Sequence, residues 1–189
     1  MYNELYFLNT QLYKSMKKIE FIPLVGIDIE NIGALPLGAG QTEVQALLGE
    51  PSDALDGQYY YDELELRLDF NDRGQLEFIE SINGPYPEKT EINIYGVNPF
   101  QLEAEELLHI LSEKNSGPVD DSEAGYCYTF LNSSVGVWRQ MTEEDIQEDM
   151  EAIKAEGEYE DNVDMLLEDL EKSKFFWTIG IGVKGYYAD

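Results

Sequence analysis

The stretch Leu37-Gly38-Ala39-Gly40-Gln41-Thr42-Glu43-Val44-Gln45-Ala46-Leu47-Leu48-Gly49-Glu50-Pro51, with Tyr59-Tyr60-Tyr61 shortly after it, reads as a short capped helix feeding an antiparallel sheet. Thr42 can cap the helix by accepting from the amide of Gln45, whose side chain can return the bond. Val44, Leu47 and Leu48 then share one side and form its buried stripe. Gly49 and Pro51 stop it after two turns, because glycine accepts a closing backbone conformation that other residues resist and proline cannot extend the ladder. From Tyr59 the period changes to two. Leu64, Leu66, Leu68 and Phe70 alternate with Glu65, Arg67 and Asp69, so one face is core and the other wet. Asn71-Asp72-Arg73-Gly74 reads as a hairpin turn, and Leu76 to Ile82 returns as the partner strand.

A looser version of this unit follows. Ile92-Asn93-Ile94-Tyr95-Gly96 leads into Asn98 and Pro99, an N-cap with proline at the first helical position, and Leu107, Leu108 and Leu111 give that helix its buried side. Tyr126, Tyr128 and Phe130 alternate with Cys127 and Thr129, Asn132-Ser133-Ser134 turns the chain, and Val135 to Arg139 forms the next strand. The final strand is the clearest: Phe175, Trp177, Ile179, Ile181 and Val183 face one way, and Phe176, Thr178, Gly180 and Gly182 the other. Upstream, Tyr2, Leu5, Tyr6, Leu12, Tyr13 and Met16 are spaced as a helical stripe, while Ile19 to Ile29, broken by Pro23 and Gly26, suits an extended or edge segment.

Between the last two strands lies an insertion, Thr142 to Lys172, with no counterpart in the first unit. Thr142 with Asp145 has the pattern of a capping box, and Ile146, Met150 and Ile153 share one face. Gly157 interrupts, and Tyr159, Val163, Leu166, Leu167 and Leu170 form a second stripe. From Glu143 to Glu171 there are 14 carboxylates and a single lysine, Lys154. At about 1.5 Å rise per residue this is roughly one acid per 3 Å of helix, close to the spacing of about 3.4 Å along one nucleic-acid strand. Such a field either docks a basic partner or is the solvated face that any amphipathic hairpin presents.

Composition sets the wider limits. A chain of 189 residues that is 43% hydrophobic and 12% aromatic can bury a core. With 39 acidic against 12 basic residues the net charge is -27, which repels nucleic acid and anionic membranes and attracts basic partners. Cys127, the one cysteine, excludes an intramolecular disulfide framework, and no apolar run approaches the roughly 18 residues of a membrane span. The opening Met1-Tyr2-Asn3-Glu4-Leu5-Tyr6 lacks the basic and apolar pattern of a signal peptide, so a cytoplasmic location is expected.

Catalytic chemistry finds little to use. His109 is the only histidine, so a nucleophile–histidine arrangement would have to combine it with Ser112, Ser116 or Cys127. Cys127 has no basic neighbour in sequence to stabilise a thiolate and reads as a packing residue. Asp69 to Gly74 faintly resembles the start of a calcium loop, but the twelfth position, Glu80, falls in a paired strand, so the turn reading prevails. Gly38-Ala39-Gly40 lacks the lysine of a phosphate-binding loop. No catalytic residue, metal site or cofactor is expected.

The run from Leu37 to Pro51, the Tyr-rich strand and Leu68-Asp69-Phe70-Asn71-Asp72-Arg73-Gly74-Gln75-Leu76 together resemble the helix-then-antiparallel-sheet repeat of β-lactamase inhibitory proteins and small outer-membrane assembly lipoproteins. In its acidic, two-copy form the chain is similar to immunity-type proteins of bacterial toxin systems. The resemblance covers residues 35 to 82 well and 92 to 185 loosely. It implies inhibition of a partner by surface contact. A lipobox and the paired cysteines of the secreted inhibitors are missing, and the acidic insertion is foreign to the repeat.

The expected fold is therefore α+β: two helix-plus-β-meander repeats sharing one antiparallel sheet of about six to eight strands, with an inserted acidic helical pair. Residues 1–34 form an N-terminal helix and extended leader, 35–91 the first repeat, and 92–189 the second, carrying the insertion at 142–172. The expected function is non-enzymatic: a cytoplasmic binding or immunity protein that masks a basic protein, such as a toxin. Its partner-binding residues would be Glu143, Glu144, Asp145, Glu148, Asp149, Glu151, Glu158, Tyr159, Glu160 and Asp161, with Trp138 as a further aromatic anchor. The alternative is a small-ligand or peptide-binding module on the outer sheet face, where Gly136, Gly180 and Gly182 would admit a ligand close to the backbone, unless they make room for the inserted helices.

Overall fold

The computed structural model describes residues 16–188. The helix expected over residues 2 to 16 lies outside them except for Met16. The chain opens with a meander of β1 (Lys17–Ile22), β2 (Gly26–Ile29) and β3 (Gly33–Pro36). Its alternation is plain: Ile19, Phe21, Ile27, Ile29 and Leu35 are buried, while Glu20 and Asp28 between them are exposed. Then come α1 (Gln41–Leu48), β4 (Asp53–Leu55), β5 (Gln58–Tyr61), β6 (Leu66–Phe70), β7 (Leu76–Ser81) and β8 (Thr90–Ile94). The second half holds α2 (Ala104–Asn115), β9 (Val119–Asp120), β10 (Cys127–Phe130), β11 (Val135–Trp138), α3 (Glu143–Glu156), α4 (Tyr159–Lys172) and β12 (Thr178–Gly182).

The fold is α+β, but the strands make two sheets where one was expected. The larger has eight strands in the order β4-β5-β6-β7-β12-β11-β10-β9, with every neighbouring pair antiparallel. Each half supplies a helix followed by four strands, and the halves meet where β7 pairs with β12. The smaller sheet runs β3-β2-β1-β8, and β1 pairs with β8 in parallel, Ile19 opposite Ile92 and Phe21 opposite Ile94. The segment Ile19 to Ile29 is extended as expected, but its two strands are interior to the sheet and not at its edge. Pro23 is no obstacle, because it sits in the turn between β1 and β2, outside the ladder. One hydrophobic core takes Val44 from α1, Leu107 and Leu111 from α2, and the inner faces of both sheets.

Local signals are kept with adjustments. The first helix is capped at Gly40, two residues before Thr42: the Glu43 carboxylate accepts from the Gly40 amide at 2.8 Å, placing its charge at the positive end of the helix dipole. Asn98 caps only a 3-10 turn, Pro99–Gln101, because Leu102 is extended and α2 starts afresh at Ala104. Asn71 builds the hairpin turn by accepting from the amides of Arg73 and Gln75. A register shift beside it pairs Asp69 with Phe78 but Phe70 with Leu76, so Leu76 and Phe78, two residues apart, end on opposite faces. In the last strand the expected alternation fails before Thr178, where β12 begins, and Phe176 joins Ile179 and Ile181 in the core.

Glu65 joins the two sheets. It is 1% exposed and carries a positive φ of 52°. Its carboxylate accepts from the Thr90 hydroxyl at 2.7 Å and amide at 3.0 Å, the Glu88 and Lys89 amides at 2.9 and 3.2 Å, and Asn83 Nδ2 at 3.2 Å. Burial alone would raise this carboxyl, but the Thr90 hydroxyl, the Glu88 amide and the other donors outweigh it and hold the group below the usual carboxylate range.

Candidate functional site

The inserted segment folds as the expected antiparallel helical pair. Thr142 caps α3 reciprocally: its backbone amide donates to Asp145 Oδ2 at 2.7 Å and its hydroxyl accepts from the Asp145 amide at 3.3 Å. Gly157, with φ of 80°, turns the chain into α4. Ile146 and Leu166 are buried, and Met150, Ile153, Tyr159, Val163 and Leu170 are half-buried. Leu167, assigned to the stripe from its spacing, lies at its border and is 50% exposed.

The base of the hairpin is anchored to the end of the large sheet. The Tyr126 hydroxyl lies 2.7 and 2.9 Å from the two Asp145 carboxylate oxygens. Arg139 donates from Nε to the Gly125 carbonyl and from a terminal nitrogen to the Ser173 carbonyl, at 2.6 and 2.7 Å, with its guanidinium over the Phe176 ring. Trp177 Nε1 donates to the Lys172 carbonyl at 3.2 Å. Bonding to Thr142 and Tyr126 holds the Asp145 carboxyl low, and burial draws the Arg139 guanidinium down. Each 14-residue helix extends about 21 Å from this base.

The structure divides the expected binding residues. Glu143, Glu144, Glu148, Asp149 and Glu151 are exposed on α3, and Glu158, Glu160 and Asp161 are exposed around the tip. Helical spacing puts Glu144, Glu148 and Glu151 in one stripe opposite Ile146, Met150 and Ile153, and among the described residues none of the three forms an ion pair. On α4, by contrast, Glu168 pairs with Lys172 and Glu171 with Lys174. Two expected contacts are committed internally. Asp145 has its oxygens occupied by Thr142 and Tyr126, and half-buried Tyr159 lies under the Lys154 ammonium, 4.5 Å from its ring centroid. Trp138 is apart from the hairpin stripe: 41% exposed, it sits on the outer face of β11, edge-on to Trp177.

That outer face also decides the role of the three glycines. A Cβ on Gly136 would stand 2.2 Å from the Tyr187 hydroxyl, one on Gly182 2.6 Å from Tyr186 Cβ, and one on Gly180 2.3 Å from Phe78. The glycines make room for these rings, not for the inserted helices. The sequence singled out Gly136, Gly180 and Gly182 on this face but not the rings that fill it; the available signal was the aromatic pair Tyr186-Tyr187 close behind the last strand. Beside them Arg67 bridges Asp69 at 3.0 Å and Glu80 at 3.1 Å. Burial pushes the Glu80 carboxyl up against the pull of Arg67, and pushes the Tyr186 hydroxyl to about 12.

His109 is exposed on α2, 3.6 Å from Glu113, and Cys127 faces outward from β10, its thiol pushed up by burial and by Glu123, Asp120 and Glu80. Among the described residues no helix is long and apolar enough to cross a membrane. Compared with protein-family models, curated proteins and solved structures, the chain matches none.

Proposed function

We propose that this chain is a non-enzymatic binding protein whose α3–α4 hairpin docks and masks a basic protein partner. The observation that carries the reading is the stripe of Glu144, Glu148 and Glu151, exposed, unpaired among the described residues, and held on a helix whose base is fastened by Tyr126, Thr142 and Arg139. Carboxylates projected from an arm anchored at its base steer a cationic surface before contact and set its orientation on arrival. The immunity-type role implied by the sequence resemblance is the same reading with a toxin as the basic partner.

The test is kinetic. A partner captured at low ionic strength is measured by stopped flow against Glu144→Lys/Glu148→Lys/Glu151→Lys and against Glu20→Lys/Glu30→Lys/Glu105→Lys, which changes net charge equally on other exposed elements. The hairpin triple lowers the on-rate at least tenfold more than the control, and salt erodes the difference as the Debye length shortens from about 30 Å at 0.01 M to about 8 Å at 0.15 M. Equal losses from both triples, or a salt-independent on-rate, refute the assignment.

A further inference from the structure

The segment following β12 lies across the outer face of the large sheet, and its aromatic pair is seated like a ligand. Tyr186 stacks on Phe78 with centroids 4.6 Å apart and planes 3° from parallel. Tyr187 meets both rings edge-on, at 6.0 and 5.0 Å. The floor beneath them is Gly136, Gly180 and Gly182, whose missing side chains leave room for the rings. Offset and edge-on ring pairs contribute beyond their buried area, so this is a specific aromatic seat.

Three features mark the occupant as separable from the sheet. The hydrogen bonds of Val183 still engage the sheet, its amide donating to the Glu77 carbonyl and its carbonyl accepting from the Ser134 hydroxyl, both at 2.8 Å. Beyond it, the amides of Tyr186 and Ala188 donate within the segment, to the carbonyls of Val183 and Gly185. The surface underneath sets the polar groups of Arg67, Glu80, Cys127, Thr129 and Thr178 beside the rings of Phe78 and Trp138, so water can reach it while Val135, Val137, Ile179 and Ile181 stay covered on the opposite face. Finally, the rings do not fill the groove: a cavity of about 190 Å³ remains, bordered by Cys127, Thr129 and Trp138. The groove therefore has open space beside the rings it holds.

We propose that this groove is a binding site for a peptide segment bearing adjacent aromatic side chains, and that Tyr186-Tyr187 is its displaceable intramolecular occupant. The site stands apart from the acidic hairpin and does not depend on what the hairpin binds. A tethered occupant on a short linker competes at an effective concentration near millimolar, which holds the groove closed to weak ligands and opens it to stronger ones.

The experiment uses the full-length chain and a fluorescent peptide with the sequence of residues 184–189. The Tyr186→Ala/Tyr187→Ala variant keeps a cooperative thermal transition and binds the peptide at least about tenfold more tightly than the unaltered protein, because the tethered competitor is gone. Adding Gly136→Ala to that variant abolishes binding, since the new Cβ occupies the seat of the ring. A folded double variant that binds no more tightly, or binding indifferent to Gly136→Ala, overturns the proposal. Loss of folding in the double variant overturns it equally, because a displaceable occupant must be able to leave an intact sheet.

Discussion

Replacing Glu65 tests the joint between the two sheets, and its cost can be worked from the donors it satisfies. Five groups donate to the carboxylate: Asn83 Nδ2, the Glu88, Lys89 and Thr90 amides, and the Thr90 hydroxyl. Asn83 and Glu88 are exposed and Lys89 half-exposed, so their donors can turn to water. Thr90 is fully buried, and its two donors have no such recourse. An unsatisfied buried donor costs about 1–3 kcal/mol, so Glu65→Ala loses roughly 3 kcal/mol after the recovered cost of burying the carboxylate is set against the gross penalty. For a chain of this size that is about 6–12 °C in Tm. Glu65→Gly is the informative companion. It relieves about 1–2 kcal/mol of left-handed backbone strain at the positive φ while deleting the same carboxylate. Thermal melts at pH 7 should show both variants below the wild type, with glycine the less damaged. A Glu65→Gly protein as stable as the wild type would refute the reasoning, since the carboxylate would then contribute nothing beyond tolerating its own strain.

Acidification probes the same group: because its folded pKa is depressed, its contribution is present above the unfolded value of about 4.3 and is lost as pH falls through the folded pKa. The gap in Tm between wild type and Glu65→Gln is therefore widest above about pH 5 and narrows on acidification below about 4.3, and a pH-independent gap contradicts this. Leu166→Ala, at a site 3% exposed, costs about 2–4 kcal/mol within the hairpin and speeds amide exchange across both α3 and α4, whereas unchanged exchange would show that the helices do not depend on each other. His109→Ala with Cys127→Ala leaves partner binding intact in pull-down, and abolished binding in a folded double variant would point to chemistry at one of them.

Much of the local structure was legible because its causes are local. The Thr142 capping box, the stop at Gly49, the turn at Asn71 to Gly74 and the two apolar stripes of the hairpin each depend on a few neighbouring residues, and all are present. Where a nearby residue could do the same job, the position moved: Glu43 caps Gly40 in place of the expected Thr42 cap. The acids of the candidate surface were legible as a group. Which of them are committed was not, because Tyr126 reaches Asp145 from 19 residues away and Lys154 covers Tyr159 only once the helices turn back on each other.

Alternation in sequence determines which side of a strand is apolar, and so the chain alone determined an α+β protein with amphipathic strands and an acidic helical pair. It does not name the strand alongside. Closing a longer loop costs little more than closing a shorter one, so the pairing of Ile92 with Ile19 in parallel, and hence the second sheet, is decided by which arrangement buries both apolar faces. The same holds for Glu65, whose alternating position reads as wet but whose donors arrive from residues 83 to 90. It holds also for Gly136, Gly180 and Gly182, which leave an empty strip on the strands until the tertiary structure lays Tyr187, Phe78 and Tyr186 into it.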